Sequence, residues 1–475
     1  MAKKPSTGRL GTENTASAGK ASRPFGRDLT GLSIVDLFAG AGGLSEGFRQ
    51  AGYRVIAGAD SDPDAAATYA LNFPESLTIT GDLRRPNVRE QVLDAARAAR
   101  IVVGGPPCQA FSQVRNHSRL IDDPRNSLYR EFIEVVRSTL PLAFVMENVT
   151  GMDQMGVREQ ITADLSLDGE YAVLPQVLDA ANFGVPQTRK RLLFVGIHRS
   201  FNTAPPQIAG TGATDFIALV RTNRAKGATY KVVVEESSMG RSLGKALFDP
   251  EDASVVSASD AISDLAGLNV GRRSDEITFG ELPAPKTAYQ RLMRIGVGEL
   301  LMNVQVPRIN SDTALRLARV PDGGNHRDLP EELLDRYLTG QRWGQDNGTG
   351  RLSRRHFYAY RRLYPEIWAW TLNTKADSVY HYKESRSLSV REFARLQSFP
   401  DRFVFTSDKR KGMIPGRHDG GPAHSRYRQV GNAVPPLLAF TLAKALWLIL
   451  AAETTHQNKA KQTRKVVAEA SEIRY

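Results

Sequence analysis

The chain has 475 residues, 41% hydrophobic and 24% charged, a composition that excludes a disordered or fibrous protein and allows two or three domains. Its net charge of +12 suits either a polyanionic partner or a plain basic enzyme, and charge alone does not separate the two. A single cysteine excludes an internal disulfide framework and a cysteine-cluster metal site, and it fits a reducing cytoplasm.

Residues 1–28 are rich in Ser, Thr, Gly, Ala and Lys without periodicity. They predict a disordered tail with no apolar signal segment. Residues 29–199 alternate between two patterns. Strand-like runs fall at 33–38, 54–59, 77–80, 101–103, 142–146, 171–178 and 192–197, with helical patterns at 63–71, 88–100 and 127–138. This rhythm predicts a doubly wound α/β sheet of the Rossmann-like kind, whose ligands bind beyond the carboxyl ends of the strands. Over 200–378 the rhythm fails, and helical fragments at 287–294 and 331–337 sit among Gly- and Arg-rich stretches. That predicts a separate, smaller, irregular domain. Order returns over 379–452, with helices near 387–397 and 436–452. The last apolar run is short and interrupted by Thr441 and Lys444, so a buried helix is expected and no membrane partner. Residues 453–475 form a basic tail.

The first strand runs into Phe38-Ala39-Gly40-Ala41-Gly42-Gly43-Leu44, a strand, glycine turn and helix of nucleotide-cradle type. Glycines let backbone approach a ligand, and the helix start offers free N–H groups. Asp60 ends the second strand, about 20 residues on, where a ribose-binding carboxylate belongs. Asp82-Leu83 follows the third strand and offers a second carboxylate for an adenosine. There is no phosphate-binding GK[ST], so a nucleoside without phosphates fits better than NAD or ATP.

The only cysteine lies in Gly104-Gly105-Pro106-Pro107-Cys108-Gln109-Ala110-Phe111-Ser112. Glycines end the strand and prolines stiffen the chain where the thiol is presented. Local sequence leaves nucleophile and packing residue both open.

Taken together, these blocks resemble the DNA (cytosine-5)-methyltransferase family. The motifs that carry the likeness are Asp36-Leu-Phe-Ala-Gly-Ala-Gly-Gly, Gly105-Pro-Pro-Cys108-Gln-Ala-Phe-Ser, Glu147-Asn148-Val149, Gln187-Thr-Arg189-Lys-Arg191, Arg391-Glu392 through Arg395-Leu-Gln397-Ser-Phe399-Pro400, and Gln429-Val-Gly431-Asn432. The resemblance implies a seven-stranded methyltransferase sheet, S-adenosyl-L-methionine as cofactor, double-stranded DNA as substrate and methyl transfer to cytosine C5. It implies Cys108 as nucleophile, Glu147 acting at cytosine N3, Arg191 at O2, and Arg189 orienting the site or a phosphate. It implies a cofactor set of Phe38, Ala39, Gly40, Gly42, Gly43, Leu44, Asp60, Asp82, Leu83, Pro107 and Asn432, and no metal. It places target recognition in 200–378 and returns 379–452 to the catalytic domain.

Base extrusion is required for such chemistry. The polar, basic stretch after Cys108 is the expected lid, with Gln109, Ser112, Arg115 and Arg119 as DNA contacts; Arg351, Arg354 and Arg355 are expected to join them. A restriction-modification role would add a separately acting endonuclease, in a bacterial cytoplasm beside the nucleoid. An RNA cytosine-5 methyltransferase on the same scaffold is the alternative.

Overall fold

A computed structural model describes residues 31–107, 127–153, 157–224, 227–234, 255–268, 271, 274–330, 332–333, 360–407 and 422–451. Its centre is a seven-stranded sheet. β1 (Ser33–Leu37), β2 (Arg54–Asp60), β3 (Leu77–Thr80), β4 (Ile101–Gly104) and β5 (Ala143–Val149) are parallel, while β7 (Lys190–His198) runs antiparallel between β5 and β6 (Tyr171–Asp179). The order is β3-β2-β1-β4-β5-β7-β6. Central strands read as near-continuous Val, Ile and Leu because both faces are covered.

Helices α1 (Gly43–Gln50), α2 (Pro63–Asn72), α3 (Pro86–Ala98), α4 (Ser127–Thr139) and α5 (Arg158–Ser166) connect these strands. α2 and α3 begin with Pro where a missing N–H costs nothing, and Asp62 caps α2 by accepting from the Asp64 N–H. Two buried clusters cover the two sheet faces. Phe48, Val145, Leu193 and Phe393 lie in one; Val102, Phe132, Phe144 and Phe194 lie in the other.

The apolar helix 436–451 supplies Leu438, Leu442 and Leu446 to the first of these clusters. A side chain at Gly47 would collide with Ala439 and the Pro436 carbonyl, so glycine there lets α1 lie directly against this helix. That contact brings the C-terminal part of the chain back beside β1.

The middle of the chain contributes to the same core. Ala258, Ala261, Ile262, Tyr289 and Met293 share a cluster with Leu388 and Phe393. Among the described residues the expected irregularity is broken by a short antiparallel pair, Glu276–Thr278 with Leu300–Met302, and by a hairpin of β8 (Ile217–Arg224) and β9 (Gly227–Val234). Its tip residues Arg221, Thr222 and Arg224 are polar, and several of its side chains face solvent, so no alternating apolar signal marks it.

Three arginines of helix Val390–Leu396 and its approach lock the return. Arg391 donates to the carbonyls of Met302, Pro400 and Phe403, the last at 2.6 Å. Arg395 sits between Asp401 at 2.6 Å and Asp264 at 3.1 Å, with all three side chains fully buried. Arg386 pairs with Glu392 at 2.8 Å. Buried charges survive only when paired and hydrogen-bonded in this way. The motif residues at 391–397 therefore build scaffold.

Candidate active site

The β4 end, the glycine turn and the acidic strand ends open onto one cleft of about 680 Å³ at the carboxyl edge of the sheet. Because β7 runs antiparallel, its first residues reach that same edge, where Arg191 lies opposite Val149 in register. Strand order alone thus lines up Asp82, Asp60, Phe38, Pro106, Glu147 and Arg191 along the cleft.

At one end, the Asp60 carboxylate accepts from the Gly40 N–H at 2.8 Å and the Asp62 N–H at 2.7 Å. The carboxylate keeps acceptor capacity for a ligand hydroxyl. Burial raises the Asp60 pKa, and these backbone donors oppose the shift. Phe38 has φ of +58°, a strained conformation for an aromatic residue, and its side chain lines the cleft. Asp82 is held by Arg84 Nη2 at 2.6 Å, and this hydrogen bonding pulls its pKa down to about 2. Ala39, Gly40, Gly43, Leu44, Leu83, Pro107 and Asn432 also line the cleft. Gly42 does not. It caps α1 at φ of +100°, and a Cβ there would lie 2.5 Å from the Phe73 ring, so its task is to shape the turn from beneath.

Under the turn, Asp36 Oδ2 accepts from Ser45 Oγ at 2.7 Å and from the Ser45 N–H, while Oδ1 has no partner. Burial pushes its pKa up to about 7, against the lowering effect of those bonds.

At the other end, Glu147 Oε1 and Arg191 Nε form an ion pair at 2.6 Å, and both side chains are 12% exposed. A Cβ at Gly105 would sit 2.8 Å from Glu147 Oε2, so glycine is what lets the carboxylate approach this backbone. Asn148 donates to the Pro106 carbonyl at 3.1 Å and fixes the chain leading to Cys108.

Arg189 faces inward. It is 2% exposed and donates to the carbonyls of Leu372 at 3.2 Å and Gly431 at 2.7 Å. Burial, with Arg191 nearby, takes its pKa well below the usual arginine range. Of the two expected uses, orienting the site fits this geometry; a phosphate contact does not. Gln187 joins this brace, accepting from the Leu372 N–H at 2.8 Å and bonding Gln397, whose amide donates to the Ala433 carbonyl at 2.5 Å.

Cys108, Gln109, Ser112, Arg115, Arg119, Arg351, Arg354 and Arg355 lie outside the described residues. Leu372, Asn373, Thr374, Asp62 and Arg428 line the cleft without having been singled out. Arg428 Nη2 meets Asp62 Oδ2 at 2.6 Å across its rim. The only sequence hint for this pair was its closeness to Asp60 and to Gln429.

A family model for C-5 cytosine-specific DNA methylases matches residues 32–447. The chain belongs to that family. The enzyme is 30% identical to the Type II methyltransferase M1.HphI of Haemophilus parahaemolyticus, over 87% of this chain and 86% of the relative. It is 31% identical to the Type II methyltransferase M.DdeI of Desulfomicrobium norvegicum, over 87% and 88%. A solved prophage-encoded DNA modification methyltransferase from E. coli superposes with a TM-score of 0.59 at 24% identity, over 88% of this chain and 99% of that one, a likeness of fold. The enzyme is a DNA cytosine-5 methyltransferase. The RNA alternative loses ground, because the matching family is the DNA-specific one.

Proposed function

We propose that the enzyme uses S-adenosyl-L-methionine to methylate a cytosine within a specific duplex sequence, as the modification partner of a separately acting restriction endonuclease. The main support is the single cleft that joins Phe38 and Asp60 at one end to the Glu147–Arg191 pair at the other. The residues suit that cofactor. Asp60 has spare acceptors for a ribose, Phe38 offers a ring face, Asp82 can accept from an exocyclic amine, and no phosphate-binding trimming is present. When bound, the cofactor supplies an electrophilic methyl group on a sulfonium.

The protein's part is to make cytosine C5 nucleophilic. Extruding the base costs a few kcal/mol, which contacts from the DNA-binding residues Gln109, Ser112, Arg115, Arg119, Arg351, Arg354 and Arg355 offset. The Cys108 thiolate adds to C6, which breaks ring conjugation and leaves C5 enamine-like. Glu147, having taken up a proton from solvent, donates a hydrogen bond to N3 as charge develops there, and Arg191 holds Glu147 in place beside O2. Arg189 positions the wall formed by Leu372 and Gly431. Loss of the C5 proton then permits elimination of Cys108. The lone cysteine suits a reducing compartment, so we place the enzyme in the bacterial cytoplasm with the nucleoid.

Bisulfite sequencing of DNA from cells expressing the enzyme tests this reading. Protected cytosines in one recurring sequence context are expected. Protection scattered without context, or none while labelled methyl enters tRNA, would overturn it.

A further inference from the structure

The strand that carries the two active-site arginines serves a second cavity. Side chains on extended chain alternate in direction. Arg189 and Arg191 line the catalytic cleft, whereas Thr188 and Lys190 line a separate hollow of about 280 Å³. The segment pairing beside it is also shared between the two, though without strict alternation. Thr371 and Leu372 face the cleft, and Trp368 and Trp370 face the hollow. Thr188 N–H donates to the Ala369 carbonyl at 2.9 Å and Thr371 Oγ donates to the Thr188 carbonyl at 2.7 Å, so the two segments form one shared wall.

The hollow is mostly aromatic and aliphatic. Trp368, Trp370, Tyr364 and Ile367 form one side, and Ile217 and Leu219 of β8 form another. Its charge lies at the rim. Lys190 is exposed, and the Arg361 guanidinium sits 5.4 Å over the Trp370 ring. Asp179 is the acidic residue within it, and that carboxylate already accepts from the Arg189 N–H at 2.9 Å and the Ala181 N–H at 3.3 Å. A flat uncharged group inside, with an anion at the mouth, is the chemistry this arrangement takes.

We propose that the hollow is a second nucleobase site, in which a base flanking the extruded cytosine takes the place of the Arg361 guanidinium on the Trp370 ring while its phosphate meets Lys190. The proposal rests on duplex DNA entering the adjoining catalytic cleft. Extrusion leaves the neighbouring bases without a stacking partner, and an aromatic face one residue step from the cleft replaces it. The volume admits one base. Stacking of this kind tolerates any base, because each has a π face.

The test uses full-length enzyme and a duplex carrying the site found by bisulfite sequencing. W370A is expected to raise the KM for DNA about tenfold, with kcat changed less than about twofold, while W370F restores most of the loss. K190Q is expected to raise KM and lower the slope of log Kd against log salt by about one. Unchanged cofactor affinity in each variant reports an intact fold. The decisive arm removes the base on either side of the target. One abasic duplex should bind wild type about tenfold more weakly and show no further loss with W370A. A W370A penalty that persists on both abasic duplexes, or wild-type KM and salt slope in W370A and K190Q, would overturn the proposal. Failure of Cys108 to form an adduct would strike the catalytic account and leave this binding result unaffected.

Discussion

Replacing Glu147 with Gln keeps the side chain's shape and an acceptor for Arg191, and removes its charge and its capacity to carry a transferable proton. The bond concerned is the 2.6 Å contact from Arg191 Nε, with both groups 12% exposed. Removing the charge from a partly screened ion pair of this kind costs the fold roughly 1 kcal/mol or less. A positioned acid at N3 is worth about a hundredfold to ten-thousandfold in rate, or roughly 3–5 kcal/mol of barrier. The rate effect therefore exceeds the stability effect about threefold or more. Single-turnover transfer of labelled methyl to duplex DNA measures the first, and thermal unfolding with cofactor binding measures the second. The account expects E147Q to bind cofactor like wild type, to unfold within a few degrees of it, and to methylate at least about a hundredfold more slowly. Turnover within about threefold of wild type would refute the assignment of Glu147.

Two further outcomes follow from the cleft and the turn beneath it. D60A removes the acceptor for the Gly40 and Asp62 N–H groups and for a ribose, so cofactor Kd should rise about tenfold to a hundredfold in equilibrium dialysis, and an unchanged Kd would exclude Asp60 from the site. The Asp36 pKa rises from 3.8 unfolded to about 7 folded, so the native state binds the extra proton and this residue's contribution to stability is lost as pH climbs from about 4 to 7. The loss can reach about 4 kcal/mol. D36N should flatten that part of the stability curve, and identical slopes for both proteins between pH 5 and 8 would contradict the burial argument.

Much of this was legible in the sequence because β-branched runs and Pro-started helices are local signals. All seven sheet strands appear within a few residues of their expected ends, and Leu77–Thr80 matches at both ends. What was not legible depends on partners distant in the chain. Helix Pro422–Asn432 has no apolar stripe and ends in Gly431-Asn432, yet Ser425, Tyr427 and Gln429 in it are buried. Arg189 was expected to orient the site or a phosphate, but its carbonyl acceptors at 372 and 431 lie 183 and 242 residues away and leave no local trace. Gly42 read as part of the ligand cradle, whereas its positive φ serves the packing against Phe73. Asp264 could not be matched to Arg395 from sequence, since 131 residues separate them.

The central claim is that one sulfur bonds to the target base. Duplex DNA bearing 5-fluorocytosine at the modified position cannot lose its C5 substituent, so an adduct formed there persists. Incubated with cofactor and such DNA, wild-type enzyme should give a denaturation-resistant protein–DNA band, and C108S should give none. A band of equal intensity in C108S would contradict the account.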